Sequence, residues 1–183
     1  MERLYWQSDD LGVDKEKARY WLVKAAESNP KAMVSLALKY CVGKRTDEAL
    51  ALCIKAGDMS CGQTKVEADR LTAQIYGDMS FAGYDPEKQK AYLLKALNVK
   101  PVPTDNGFDD EYARAASLLR AWFQLRNTNS PSESNVKNVA YCAVIAAVLD
   151  RDCADRLSEF AIRQSQFDAW AVDARNYNFH LPC

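Results

Sequence analysis

Two short helical patterns joined by one turn run from Asp14 to Val42, and they constrain the fold of this chain more than any other feature. Asp14 is a suitable N-cap, and an apolar stripe with helical spacing follows it: Ala18, Trp21, Leu22 and Ala25. Asn29 caps a second helix that begins at Pro30, where the missing N–H of proline costs nothing. Its stripe contains Met33, Leu36, Ala37 and Tyr40. Because such a pair cannot bury its stripes alone, we expect it to stack on similar neighbours.

The pattern recurs further along the chain. A shift of 31 residues superposes the first stripe on a second one, which consists of Ala49, Leu52, Cys53 and Ala56. Thr46 is the expected N-cap of that helix, and a partner helix is predicted at roughly 63–78. A shift of 71 residues matches charged as well as apolar positions: Asp85, Glu87, Lys88, Leu93, Lys95 and Ala96. Since an apolar stripe constrains only the core face, the matching charges indicate a true repeat.

The second half of the chain is also helical, but it lacks the charged signature. Two loops interrupt it, at 99–110 and 127–134, and both are rich in residues that favour turns. Between them lies a helix with Ala115, Leu119 and Phe123 on one face. The helix that starts near Ser134 is apolar on all sides, so we expect it to be the buried central helix of this half. Two further helices are predicted, one with Leu157, Phe160 and Ala161 and one with Phe167, Trp170, Ala174 and Tyr177.

Composition excludes several classes of partner. Of the 183 residues, 24 are basic and 25 acidic, so the net charge of −1 provides no electrostatic footprint for nucleic acid. No apolar run of about 18 residues is present, which predicts no membrane insertion. The first residues, MERLYWQSDD, do not resemble a signal peptide. We therefore expect either a cytoplasmic protein or a periplasmic protein whose signal peptide is absent from this sequence.

The motifs of the common enzyme classes are missing, among them G-x-G-x-x-G, G-x-x-x-x-G-K, H-E-x-x-H and G-x-S-x-G. His180, the single histidine, stands alone near the end of the chain and is interpreted as structural. Paired carboxylates for hydrolytic chemistry could be sought in one acidic stretch, at Asp105, Asp109, Asp110 and Glu111, but helix capping in a solvated loop explains them equally well. We predict no enzyme activity, no cofactor and no metal site.

The segment DKEKARYWLVKAAE, followed by A-x-x-x-L-A-x-x-Y from Ala32 to Tyr40, resembles the Sel-one-like repeat, a relative of the tetratricopeptide repeat. The resemblance covers about residues 12–97, with further copies at 46–76 and 83–97. It implies an all-α fold, with an α/α superhelical solenoid of Sel-one-like helix pairs in residues 1–98. Residues 99–183 would form a degenerate repeat and a C-terminal helical cap that packs on the solenoid as one unit.

The same resemblance implies a protein-binding module of the bacterial envelope. The sharper hypothesis is an immunity protein that binds and neutralises a secreted antibacterial effector. Two alternatives stay open: a scaffold for a secretion or cell-wall complex, and a hydrolase that acts on envelope material. The expected partner is another protein, such as a toxic effector, and the oligomeric state is left open.

Six cysteines favour an oxidising compartment and hence the periplasm, although six reduced thiols in a cytoplasmic protein are the alternative. Cysteine-rich members of the Sel-one-like family bridge the two helices of a repeat near the turn. By that resemblance Cys53 and Cys61 are the expected disulfide pair. The pairing of the others is left open: Cys41, Cys142, Cys153 and Cys183.

Recognition of a partner should lie where the repeat copies differ, because the recurring positions pack helix against helix. The acidic loop from Asp105 to Glu111 has no counterpart after the earlier copies. We expect Phe108 to be an exposed anchor among carboxylates, so that its removal would speed dissociation of a partner. The predicted partner-binding residues are Tyr84, Asp105, Phe108, Asp109, Asp110 and Glu111.

Overall fold

A computed structural model describes residues 15–150 and 162–182. These residues form eight helices and no strand, which confirms the all-α prediction. The helices are α1 (Lys15–Ala25), α2 (Pro30–Val42), α3 (Thr46–Met59), α4 (Gly62–Tyr76), α5 (Pro86–Leu97), α6 (Phe108–Asn129), α7 (Glu133–Leu149) and α8 (Gln164–Arg175). The predicted helix around Leu157, Phe160 and Ala161, and the predicted N-cap Asp14, lie outside the described residues.

The starts of α2 and α5 follow directly from local sequence. Asn29 accepts hydrogen bonds from the amides of Lys31 and Ala32 through its side-chain oxygen, and Asp85 caps α5 in the same way. In both helices proline occupies the first position, as predicted. For α3 the prediction is off by one residue. Thr46 is the first helical residue, and the N-cap is Arg45, which makes no side-chain capping hydrogen bond.

Each helix packs against the next one in the chain. In addition α2 contacts α4, and α4 contacts α6, so these alternate helices lie side by side in one layer. Two hydrophobic clusters fill the interior. The first is built from α1 to α4, and the second from α4 to α8 together with the residues that follow α8.

Helix α4 contributes to both clusters. Its Ala68 and Leu71 belong to the first, whereas Val66 and Ala73 belong to the second. Leu93 on α5 also lies in the second cluster. The second cluster therefore contains residues from both sides of the predicted boundary between residues 98 and 99. The boundary itself stays a prediction.

Two charged side chains of α4 are buried and tie it to the helices that follow. Asp69 lies 3.3 Å from the ammonium group of Lys95 on α5 and 3.5 Å from that of Lys65. Burial raises the pKa of the Asp69 carboxyl, since it penalises the charged form. Arg70 donates to Glu111 on α6. Helix α4 is thus joined to α5 and α6 by ion pairs as well as by apolar contacts.

Helix α7 is buried without interruption from residue 138 to residue 146 and packs between α6 and α8. This confirms the buried central helix that was predicted from its apolar sequence. The prediction for α1 is only partly correct. Ala18 and Leu22 are buried, but Trp21 is 42% exposed and Ala25 is exposed as well. Among the described helices α1 packs only against α2. A narrow apolar stripe is therefore enough to form this contact.

Candidate functional site

Phe108 was predicted as an exposed anchor, and the structure places it in the core instead. It is the first residue of α6 and is only 4% exposed. Its ring stacks on Tyr112 at 5.6 Å between centroids and meets the edge of Tyr177 at 5.0 Å. The acidic neighbours in the sequence gave no sign of this burial, because Tyr177 comes from the far end of the chain. Phe108 therefore cannot serve as a surface anchor.

Glu111 is buried too, and each oxygen of its carboxylate accepts a hydrogen bond from an arginine. One oxygen accepts from the Arg70 guanidinium at 2.7 Å, and the other accepts from Arg114 at 3.0 Å. Arg70 also donates to Gln74 on its own helix at 2.7 Å. Glu111 thus joins α6 to α4, and both of its carboxylate oxygens accept hydrogen bonds within the fold.

Asp105 has a capping role. Its carboxylate accepts hydrogen bonds from the backbone amides of Gln63 at 3.0 Å and Val102 at 2.9 Å. Gly62, at the start of α4, has a φ of +55°, and a side chain there would collide with the Asp105 carboxylate. A negative charge at the N-terminus of a helix is stabilising, so Asp105 fixes the loop after α5 to α4.

Asp109 and Asp110 are the two predicted residues of the acidic stretch that are exposed. The Asp109 carboxylate accepts a hydrogen bond from the hydroxyl of Tyr177. With Asp105 and Phe108 they line an open cavity of about 370 Å³. The structure therefore brings four of the six predicted partner-binding residues together, while Glu111 faces Arg70 and Tyr84 lies elsewhere.

Tyr84 borders a different surface, which we call the α4–α6 groove. It lies between the connection from α4 to α5, the start of α5 and the second half of α6, and it encloses about 360 Å³. The groove is lined by Gly77, Met79, Tyr84, Pro86, Gln89, Leu118, Ala121, Trp122, Leu125, Arg126 and Asn129. Three of its apolar side chains are strongly exposed: Met79 at 78%, Leu125 at 60% and Tyr84 at 41%. Exposed apolar side chains that cluster around one groove make it a candidate binding surface.

The frame of the α4–α6 groove is held by specific contacts. The indole N–H of Trp122 donates to the carbonyl of Pro86 at 2.8 Å, which joins α6 to the start of α5. The cationic groups of Lys90 and Arg126 lie over the Trp122 ring at 4.8 and 5.0 Å from its centroid. Arg126 also pairs with Glu87. These contacts position the groove before any partner arrives.

Sequence reasoning found Tyr84 but missed Met79, Trp122 and Leu125. A signal for two of them was present. Beside the stripe that ends at Phe123, α6 carries a second apolar stripe formed by Leu118, Trp122 and Leu125. A helix that packs on one side needs only one stripe, so a second one indicates either further packing or a binding surface.

The four described cysteines are all free thiols: Cys41, Cys53, Cys61 and Cys142. The predicted Cys53–Cys61 disulfide is not formed in the structure. Helix α3 continues for six residues beyond Cys53, to Met59, which is about 9 Å along the axis at ~1.5 Å per residue. Cys61 is the exposed N-cap of α4, whereas Cys53 is buried. Cys153 and Cys183 lie outside the described residues.

Burial should make the thiols react in a fixed order. It raises the pKa of Cys53 to about 12 from an ordinary value of 9.0. At mildly alkaline pH the thiolate fraction of Cys53 is then about a thousandfold smaller than that of an unperturbed thiol, at a tenfold loss per pKa unit. We expect the native protein to be alkylated at Cys61 first and at Cys53 only after unfolding, as mass spectrometry can show.

A second alkylation step separates this expectation from the disulfide hypothesis. The native protein is treated with one reagent, unfolded without reductant and treated with another, and then reduced and treated with a third. Free thiols acquire the first or second label. If Cys53 and Cys61 both acquire only the third label, both are in disulfide bonds, and the free-thiol description is wrong.

Comparison of the chain with family models, with curated proteins and with solved structures gives no match. No helix within residues 15–150 or 162–182 combines the length and the apolar character needed to cross a bilayer. Within the described part of the chain, no three His, Cys, Asp or Glu side chains gather into a group that could hold a metal ion.

Proposed function

We propose that this chain is a non-enzymatic protein-binding module whose α4–α6 groove receives an apolar segment of a partner protein. The observation that carries the proposal is the exposure of Met79, Tyr84 and Leu125 around one groove with a fixed frame. The groove volume is near the lower end of the ~300–1,000 Å³ that is usual for binding pockets. A groove of this volume can hold a few apolar side chains of the partner at the centre of a larger interface.

The architecture proposed with this function is an α/α solenoid of Sel-one-like helix pairs. Contacts of α2 with α4 and of α4 with α6 support it, because stacked helix pairs place every second helix in the same layer. The repeated sequence signature at offsets of 31 and 71 residues supports it independently. Solenoids of this kind present extended surfaces to other proteins, which is consistent with a groove built from two successive helices and the connection before them.

The residues around the groove match the composition of known binding hot spots. Tyrosine and tryptophan are enriched there, and methionine adapts its shape to irregular partners. Gln89 and Asn129 add polar groups at the border, which can hydrogen-bond to the backbone of a bound segment. An apolar segment of a partner would cover Leu125 and Met79 and remove their side chains from water.

The finer proposal is an immunity protein of the bacterial envelope that binds and neutralises a secreted effector. It rests on the resemblance to Sel-one-like repeats and on the lack of enzyme motifs in the sequence. A hydrolase is the less favoured alternative, because Asp105 and Glu111, two of its four candidate carboxylates, are engaged by hydrogen bonds within the fold. A gene for a toxic protein beside this one would identify the partner to be tested first.

The test uses the purified product of that neighbouring gene and surface plasmon resonance. Leu125→Asp places a charge in the groove, so we expect its affinity for the partner to fall about thirtyfold, which corresponds to about 2 kcal/mol for a hot spot. Tyr84→Ala should weaken binding in the same direction. Val136→Asp is the matched control, since Val136 is also apolar and about half exposed but lies on α7 and does not line the groove.

Three outcomes decide the proposal. Loss of affinity in the groove variants but not in Val136→Asp supports it. Equal affinity in all variants means that the partner binds another surface. If Leu125→Asp instead abolishes self-association in analytical ultracentrifugation, the groove is covered by a second copy of the chain, and the proposed function is wrong.

A further inference from the structure

Helix α6 extends past the start of the helix that precedes it. The two helices are antiparallel, because the hydroxyl of Tyr112 donates to the carbonyl of Leu97 at one end and the indole of Trp122 donates to that of Pro86 at the other. From Trp122 α6 continues to Asn129, which is about 10 Å or two turns at ~1.5 Å per residue. These two turns form part of one wall of the α4–α6 groove.

The α6 wall of the groove contains one stripe with helical spacing. Its members follow at i, i+4, i+7 and i+11: Leu118, Trp122, Leu125 and Asn129. Together they span about 16 Å, or three turns. A helix laid along α6 would have the same rise per residue, so its own apolar stripe could stay in contact with this wall over its whole length.

The opposite wall offers few main-chain hydrogen bonds to a ligand. It is formed by Gly77, Met79, Tyr84, Pro86 and Gln89. The amides of Gly77, Tyr84 and Gln89 already donate to main-chain carbonyls within the fold, at 2.9–3.0 Å. Pro86 has no amide hydrogen. Among these five described residues, only the Met79 amide has no such hydrogen bond.

These hydrogen bonds restrict the conformation of a segment that lies in the groove. An extended segment would place its own N–H and C=O groups against apolar walls without partners, and each unpaired buried group costs free energy. The amides of α6 cannot pair with it, because they donate within the helix. A helical segment satisfies its main-chain groups internally and presents only side chains to the groove.

We propose that the partner segment received by the α4–α6 groove is an amphipathic helix of about three turns that lies along the second half of α6. This inference rests on the proposed function and specifies the chemistry of the partner. Apolar side chains of the bound helix would enter the groove and cover Met79, Tyr84 and Leu125. Gln89 and Asn129 lie where the polar face of the bound helix would meet water.

The test is a nuclear magnetic resonance titration of the full chain with two probe peptides of about 15 residues, a length at which a peptide can form a helix in part. Both peptides have the same composition of leucine, alanine, glutamate and lysine. In the first, leucine recurs at i, i+4, i+7 and i+11, and in the second it alternates as in a strand. We expect the first peptide to shift amide signals within residues 77–89 and 118–129 and to bind at least tenfold more tightly than the second.

Two further measurements test the same contact. Leu125→Asp should weaken binding of the first peptide about tenfold or more, whereas Val136→Asp on α7 should leave it unchanged. Circular dichroism establishes that each variant remains helical. Transferred nuclear Overhauser effects should show that the first peptide is helical when bound.

Several results would overturn the inference. Equal or tighter binding of the second peptide means that the groove accepts an extended segment. No shift with either peptide at millimolar concentration, or equal loss of binding in Val136→Asp, contradicts the proposed contact. A dimer that dissociates on Leu125→Asp substitution, as seen by analytical ultracentrifugation, places a second copy of the chain in the groove instead.

Failure of this inference can be told apart from failure of the proposed function. If Leu125→Asp lowers the affinity for the partner protein but the second peptide binds better than the first, the proposed function stands and the helical partner segment is wrong. If the first peptide binds but Leu125→Asp leaves the affinity for the partner protein unchanged, the proposed function is wrong, and the assignment of its partner segment is wrong with it.

Discussion

Phe108→Ala is expected to lower the free energy of unfolding by about 3–5 kcal/mol, as is usual for a buried phenylalanine. Phe108 is almost fully buried, and its ring is enclosed by Tyr112 and Tyr177. Removal of the ring leaves a cavity where α6 begins and where the residues after α8 pack against it. This replaces the expectation from sequence, in which the same substitution would mainly speed dissociation of a partner.

Urea denaturation followed by circular dichroism measures the effect. Leu125→Ala is the matched control, because it truncates a large apolar side chain on the same helix that is mostly exposed. We expect its cost to stay within about 0.5 kcal/mol, as for other surface positions. If Phe108→Ala is no more costly than this control, the ring is not part of the core, and its role as a surface anchor has to be reconsidered.

Arg70→Met is expected to be the second strongly destabilising substitution, at about 3–5 kcal/mol. The cost arises because the Glu111 carboxylate would remain buried without its closest partner. Arg114 still donates to the other oxygen of Glu111, which favours the lower end of that range. Combining Arg70→Met with Glu111→Leu removes both charges, so the double variant should recover much of the stability that the single variant loses.

Thermal or urea unfolding of the two single variants and the double variant gives the coupling free energy of this pair. The exposed pair Lys24–Glu27 is the control, and Lys24→Met should cost far less than Arg70→Met, because water screens an exposed ion pair. Additive losses in the Arg70 and Glu111 variants, with no recovery in the double variant, would show that the two side chains act independently and that the buried ion pair is not the cause.

The all-α character and several helix starts could be predicted because they depend on neighbouring residues. Asn29 followed by Pro30, and Asp85 followed by Pro86, contain everything that their caps require. The burial of α7 was predictable for a similar reason, since its apolar character extends all round the helix. In each case the residues that determine the helix start or the burial of the helix lie within one continuous segment of the chain.

The candidate site could be predicted only in part, because its contacts join distant segments. Phe108 is next to carboxylates in the sequence but next to Tyr177 in space. Glu111 is separated from Arg70 by 41 residues, and the sequence around either residue does not predict their ion pair. The α4–α6 groove combines three segments, and only the one around Tyr84 was predicted to bind a partner.

The structure shows no Cys53–Cys61 disulfide, and one reason lies in where α3 ends. Gly57 is a typical signal for the end of a helix, yet α3 continues through it to Met59. The glycine is needed for close packing instead, since a side chain on it would lie 3.0 Å from the Asp69 carboxylate of α4. From sequence alone, a glycine can indicate either the end of a helix or a close contact between helices. For Gly57 only the position of the neighbouring helix distinguishes the two.

The position of α4 in both hydrophobic clusters has a consequence for how such a chain can evolve. The repeat predicted from the sequence is one helix pair, and duplication or exchange of such a pair would be simple at the level of the gene. In the folded protein, a cut after a pair exposes apolar residues of α4 or α5 that the next pair covers. The predicted repeat unit is therefore smaller than the unit that folds, so we expect a new pair to be added more easily at an end of the chain than in the middle.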